Sequence, residues 1–155
     1  GWMVAEQIAA ANLPVIIDPI ENLPSSFETL GARLDNAKLL SDAGVILVFT
    51  GMSWLSTHNA YLVRQSAGNA VASGLNKDVA IVAMTRNLAK LFAAPVSGDI
   101  VVDEVADLTL RSGDPLQLTS EPDLVMIAGE QILLENRALL LRDRYFKRLQ
   151  ATDAE

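Results

Sequence analysis

The chain has 155 residues, half of them hydrophobic and a fifth charged, a globular composition long enough to bury a core. Its formal charge of −7 argues against general nucleic-acid binding, which needs a basic surface, and no apolar run approaches the roughly 18 residues of a membrane span. With no cysteine and one histidine, disulfides, thiolate nucleophiles and cysteine-based zinc sites are excluded, and the chain by itself offers a metal one imidazole plus carboxylates.

The Ala-rich stretch from Met3 to Asn12 predicts a helix, and Pro14 to Asp18 a short strand. Ser25 or Ser26, with Glu28 placed for a capping box, opens a predicted helix that runs to about Ala43. Leu30, Leu34, Ala37 and Leu40 lie on one face of it, and Gly44 ends it. Val45 to Thr50 is apolar at nearly every position, as a parallel strand buried on both faces requires. A helix follows from about Asn59 to Ser73, turning Val63, Ala67, Ala70 and Val71 to one side. Asn76 can cap a further helix to about Thr85, and Asn87 a short one to Phe92. The βα alternation predicts a parallel sheet.

Beyond Pro95 acids accumulate and the pattern turns to strands. Ala106 to Arg111 alternates apolar and polar; Ser112-Gly113-Asp114-Pro115 is a turn. Leu124 to Ile127 and Gln131 to Leu134 flank Ala128-Gly129-Glu130 as a hairpin. Arg137 to Gln150 reads as an amphipathic helix, with Leu141, Tyr145 and Leu149 packing it onto the body.

Three stretches carry a family resemblance: NLPSSFETLGARLDNAKLL, THNAYLVRQSAGNAVASGLNKDVAIVAMTRNLAKLF and VADLTLRSGDPLQLTSEPDLVMIAGEQI. In this order they resemble the C-terminal part of metal-dependent amidohydrolases of the imidazolonepropionase-like type, over nearly the whole chain. The resemblance implies an α/β fold: the C-terminal fragment of a (β/α)8 TIM-like barrel, then strands of a small β-sandwich and a C-terminal helix. Residues 1–95 would supply the last βα units, with 14–18 and 45–50 as the seventh and eighth barrel strands. Residues 96–135 would be the returning sandwich strands and 136–155 the helix and tail. It also implies hydrolysis of C–N bonds, in amides or cyclic amides, by an intact parent using zinc or another divalent metal. The family's His-x-His ligands are not in this chain, which holds no metal set of its own and is expected to be inactive alone.

The family's eighth strand ends in an Asp that binds or activates metal-bound water. That position falls on Thr50, Gly51, Met52 and Ser53, none of them an acid, so the usual base is missing. The catalytic residues therefore stay unassigned, and a non-catalytic scaffold or an oligomerising module stands as the alternative. His58, beside Asn59, has two readings: a contact to substrate or metal at the barrel mouth, or a hydrogen bond to the start of the following helix. Trp54 and Tyr61 either line a pocket or cover the barrel end. Arg64 either meets an anionic substrate group or makes a surface ion pair. Asp18, at the end of the first strand, either binds a cation or polarises substrate, or it caps a helix or turn.

A whole TIM barrel takes roughly 250 residues, and two parallel strands leave open edges. The expected partners are therefore the missing N-terminal part of the parent or a second chain that completes the sheets, and a homo-oligomer is expected. The substrate is a small molecule or peptide-like; neither nucleic acid nor membrane is expected. The chain reads as soluble, cytoplasmic or periplasmic.

Overall fold

The computed structural model describes residues 1–51 and 61–152. The chain is a mixed α/β protein that divides into two compact units, Gly1–Glu104 with Gly113–Glu121, and Val105–Ser112 with Pro122–Glu155.

The first unit is built on two parallel strands, β1 (Val15–Ile17) and β2 (Leu47–Phe49), paired Val15↔Leu47, Ile16↔Val48 and Ile17↔Phe49. The uniformly apolar run foretold a strand without a wet face, and Leu47, Val48 and Phe49 are 1–3% exposed. Four helices contact β2: α2 (Asn36–Asp42), α3 (Val63–Ala72), α4 (Lys77–Met84) and α5 (Arg86–Leu91). Alanine dominates the helical contribution to the core: Ala37, Ala67, Ala70, Ala80 and Ala83 are all but fully buried and join Leu40, Leu47, Phe49 and Leu116. Small residues let the helix backbones lie close to one another and to the strand.

The N-terminal helix is shorter than the Ala-rich stretch suggests, a 3₁₀ turn at Trp2–Val4 followed by α1 (Ala5–Ala10). The continuous helix expected from Ser25 to Ala43 is broken. A 3₁₀ turn occupies Phe27–Thr29, and α2 begins only at Asn36. Thr29, not Glu28, makes the return bond to the cap, its hydroxyl accepting from the Ser26 N–H at 2.9 Å. The break has a physical cause in Trp2. Its indole N–H donates to the Gly31 carbonyl at 2.8 Å, and its ring carries the Arg33 guanidinium 4.9 Å from the centroid. Arg33 in turn grips Asp35 with Nε and Nη2 of its guanidinium, a pairing two residues apart that a helix does not bring face to face. Leu30 and Leu34 stay 63% and 51% exposed as a result.

Asn76 caps α4 as its position foretold, accepting from the N–H groups of Asp78 (2.7 Å) and Val79 (3.3 Å). Asn87 does not cap α5. Thr85 holds the N-cap position, and the Asn87 amide donates to the Leu47 carbonyl at 2.9 Å.

The second unit is an antiparallel meander, β3 (Leu108–Arg111), β4 (Pro122–Ile127) and β5 (Glu130–Gln131), followed by α6 (Arg137–Thr152). The hairpin between β4 and β5 turns on two residues, Ala128 (φ 53°) and Gly129 (φ 81°), so Glu130 belongs to the strand and not to the turn. Two positive φ values in succession match the tight turn whose twist suits a hairpin. Asp107 fixes that turn by accepting from the Ala128 N–H at 2.7 Å. Asn136 caps α6 through a bond from the Leu139 N–H at 3.0 Å. Leu141, Tyr145 and Leu149 are exposed, not packed down as their spacing suggested; the cap and helix propensity carry this element. Among the described residues no helix is long and apolar enough to cross a membrane.

Leu40 is fully buried between α2 and β2. Leu40→Ala is expected to lower the unfolding free energy by about 2–5 kcal/mol, read as a lower midpoint in urea with an unchanged slope.

Candidate functional site

Parallel strands deliver their carboxyl ends to one side, and the residues just past those ends are where α/β proteins place polar groups. Here they are Asp18 after β1 and Thr50-Gly51 after β2, held level by the register and by the bond from the Thr50 N–H to the Ile17 carbonyl, 2.9 Å.

Asp18 is half-buried and oriented from two directions. Its Oδ1 accepts from the Ile20 N–H at 3.0 Å and from the Ser66 hydroxyl at 3.2 Å. Its carbonyl accepts from the Glu21 N–H, and Pro19 beside it is fully buried. Asp18 thus accepts a bond within its own turn, and a further connection appears, since Ser66 belongs to α3 and is wholly buried. Ser66 was overlooked in the sequence. The signal was a hydroxyl standing on the apolar side of α3 among Val63, Ala67 and Ala70, where burial obliges it to find a partner.

Gly51 is a point of close backbone approach. A Cβ at this position would lie 2.5 Å from the Val63 nitrogen and 2.8 Å from the Leu62 carbonyl carbon. The first turn of the following helix crosses so close that no side chain fits, so a carboxylate at Gly51 would require α3 to move. Thr50 beside it is half-buried.

Arg64 follows Val63 at the start of α3. Its Nη1 donates to the carbonyls of Pro115 (3.2 Å), Gln117 and Ser120 (3.4 Å). These oxygens belong to the loop Gly113–Glu121, which also meets α3 at Gly68, where a Cβ would come within 2.9 Å of the Leu116 carbonyl. Lys77 pairs with Asp114 at the loop's start (2.6 Å), and the Leu116 N–H donates to the same carboxylate. The Lys77 ammonium, with that N–H, holds the Asp114 carboxyl below its ordinary value. Tyr61 is 73% exposed. Met52, Ser53, Trp54, His58 and Asn59 lie outside the described residues.

The structure thus brings Asp18, Thr50, Gly51 and Ser66 to one end of the sheet and places Arg64 on the loop contact. Among the described residues no three of His, Cys, Asp or Glu converge as metal ligands.

No protein-family model matches the chain, and no curated protein matches it significantly. Among solved structures, an amidohydrolase from Thermotoga maritima MSB8 superimposes with a TM-score of 0.74 at 20% sequence identity, over 85% of this chain. The chain spans about a third of that protein's length, 34%. The fold over this region is amidohydrolase-like.

Two outcomes are expected. Gly51→Ala should destabilise the protein by about 1–3 kcal/mol in urea unfolding, because backbone and not a flexible side chain stands in the way, whereas Thr50→Ser should be close to neutral. For Asp114 the folded pKa lies below the ordinary 3.8, so its contribution to stability is present above that value and is lost as pH falls through the folded pKa. Asp114→Asn should therefore lower the thermal midpoint at neutral pH and lose that effect in strong acid, measured by calorimetry across pH.

Proposed function

We propose that the chain forms the closing βα units and the returning strands of an amidohydrolase-type protein, which when complete hydrolyses C–N bonds in small amides, cyclic amides or peptide-like substrates. The observation that carries this reading is the similarity to an amidohydrolase over 85% of the chain, together with a parallel strand pair whose carboxyl ends bear an oriented carboxylate. On this reading β1 and β2 are the last two strands of a (β/α)8 barrel and β3 to β5 belong to its small sandwich. The divalent metal is held by residues outside this chain, which alone is inactive. Asp18, steadied by Ser66, faces the substrate side. His58, Asn59 and Trp54 follow Gly51 in sequence and are the further substrate-facing candidates, while Arg64 anchors the loop.

A second reading has its own observation. The packing at Gly51 leaves no space for an acid there, which favours an amidohydrolase-like scaffold retained for binding rather than chemistry.

One experiment separates the two. The intact protein is loaded with zinc or manganese, its metal content measured by mass spectrometry, and a panel of N-acyl amino acids, dipeptides and cyclic amides assayed. The catalytic reading expects metal-dependent turnover that a chelator removes. It also expects kcat/KM to fall about 100-fold in Asp18→Asn, because a carboxylate that positions reacting groups is lost while the shape is kept. Metal-free protein with no turnover would leave the scaffold reading standing.

A further inference from the structure

The loop Gly113–Glu121 joins β3 to β4, yet it folds with the first unit. Connections usually run over the surface, but here Leu116 and Ser120 are 6% and 5% exposed. The loop is two successive turns, the Gln117 N–H donating to the Asp114 carbonyl at 3.0 Å and the Ser120 N–H to the Gln117 carbonyl at 3.1 Å. Backbone oxygens brought toward a core need donors. Arg64 serves Pro115, Gln117 and Ser120 from one guanidinium nitrogen, and Lys77 holds Asp114 at the loop's start. Hydrolysis as proposed makes no use of so firm a docking.

The loop docks on α3. By the 3.6-residue period Arg64 and Gly68 stand on one flank of this helix and Ser66 on the opposite flank. The Leu116 carbonyl comes within 2.9 Å of where a Gly68 Cβ would lie, so both residues of the first flank are against the loop. On the other flank the Ser66 hydroxyl donates to Asp18 Oδ1 at 3.2 Å. Hydroxyl donors work out to about 3.0 Å, so this bond has little slack and a small outward shift of α3 breaks it. A shift the other way is blocked, because the first turn of α3 already meets Gly51 at backbone contact. The seat of α3 is thus set between strand end and loop, within the turn that carries Ser66.

We propose that the loop Gly113–Glu121 is a strap that sets the aim of the Asp18 carboxylate: Arg64 locks the loop on α3, and α3 presents Ser66 to Asp18. Arg64 and Ser66 are then positioning residues. Asp18 keeps the bond from the Ile20 N–H within its own turn, so loosening the strap frees the carboxylate to turn and leaves the strand end in place. The consequence for turnover rests on the amidohydrolase reading; the positional link does not.

The test is carbon NMR of the intact protein labelled at aspartate Cγ, with the Asp18 signal assigned through Asp18→Asn. Arg64→Ala should move the Asp18 resonance. Arg64→Lys, which keeps a cation with three N–H donors before the same carbonyls, should return it. Adding Arg64→Ala to Ser66→Ala should move it no further, because the path through Ser66 is already cut. A resonance that stays in place in folded Arg64→Ala overturns the proposal, as does a shift that persists in full in the Ser66→Ala background. Circular dichroism checks the fold. Should Arg64→Ala not fold, Asp114→Asn loosens the start of the loop instead, and an unmoved Asp18 resonance there overturns the proposal. Kinetics separate the two claims. Where the intact protein turns over an amide, Arg64→Ala should lower kcat about 10-fold with KM within about 2-fold, and Arg64→Lys should restore most of the loss. A loss in Asp18→Asn with none in Arg64→Ala overturns the strap and leaves the hydrolase. No turnover in any form removes the hydrolase and leaves the Asp18 resonance to decide the strap.

Discussion

The first unit depends on keeping β2 dry. Leu47, Val48 and Phe49 are buried on both faces, each worth about 1.5–3 kcal/mol when withdrawn from water, and four helices are arranged around them. A buried strand also brings backbone polar groups inside that must be paired. Ile46 and Thr50 bond to β1, so by strand alternation the Leu47 carbonyl points the other way, to the edge that β1 does not cover. The Asn87 amide reaches it there. One side chain thus joins α5 to the outer edge of β2.

The same packing sets the limits of the polar end. α3 crosses the end of β2 at backbone contact distance from Gly51, and Ser66 one turn later meets Asp18. Position and chemistry are coupled at this end. What brings Ser66 to the Asp18 carboxylate also excludes a side chain at Gly51. Placing an acid at Gly51 would thus involve repositioning the helix and not a single substitution.

Much of this was legible in the sequence wherever one local rule acted alone. Val45 to Thr50 has no polar residue before its end, so its burial followed from composition. Asn76 stands where a cap belongs, and its side chain does that work. The misreadings share one cause, a side chain recruited by a partner far along the chain. Trp2 takes the Gly31 carbonyl and stacks Arg33, ending a helix that periodicity extended through Leu30 and Leu34. Asn87 looked like a cap because caps are local, yet its partner is 40 residues away. At the candidate site Asp18 was visible as a strand-end acid, but its link to Ser66 spans 48 residues and has no pattern in one sequence.

The two edges of the small parallel sheet differ in what they offer a neighbour. At β2 the Leu47 carbonyl is already taken by Asn87. At β1, Val15 and Ile17 turn their backbone groups toward β2, so those of Ile16 face outward, and its side chain is 51% exposed. Two strands alone are marginal in water, and helices shield this pair chiefly on the β2 side. A further parallel strand would find an open ladder and an apolar side chain at Ile16, whereas on the other side it would first meet an acceptor in use. The physical demand for more sheet is therefore greatest beside β1, the strand that ends in Asp18. A strand added there would bring its own carboxyl end alongside that carboxylate.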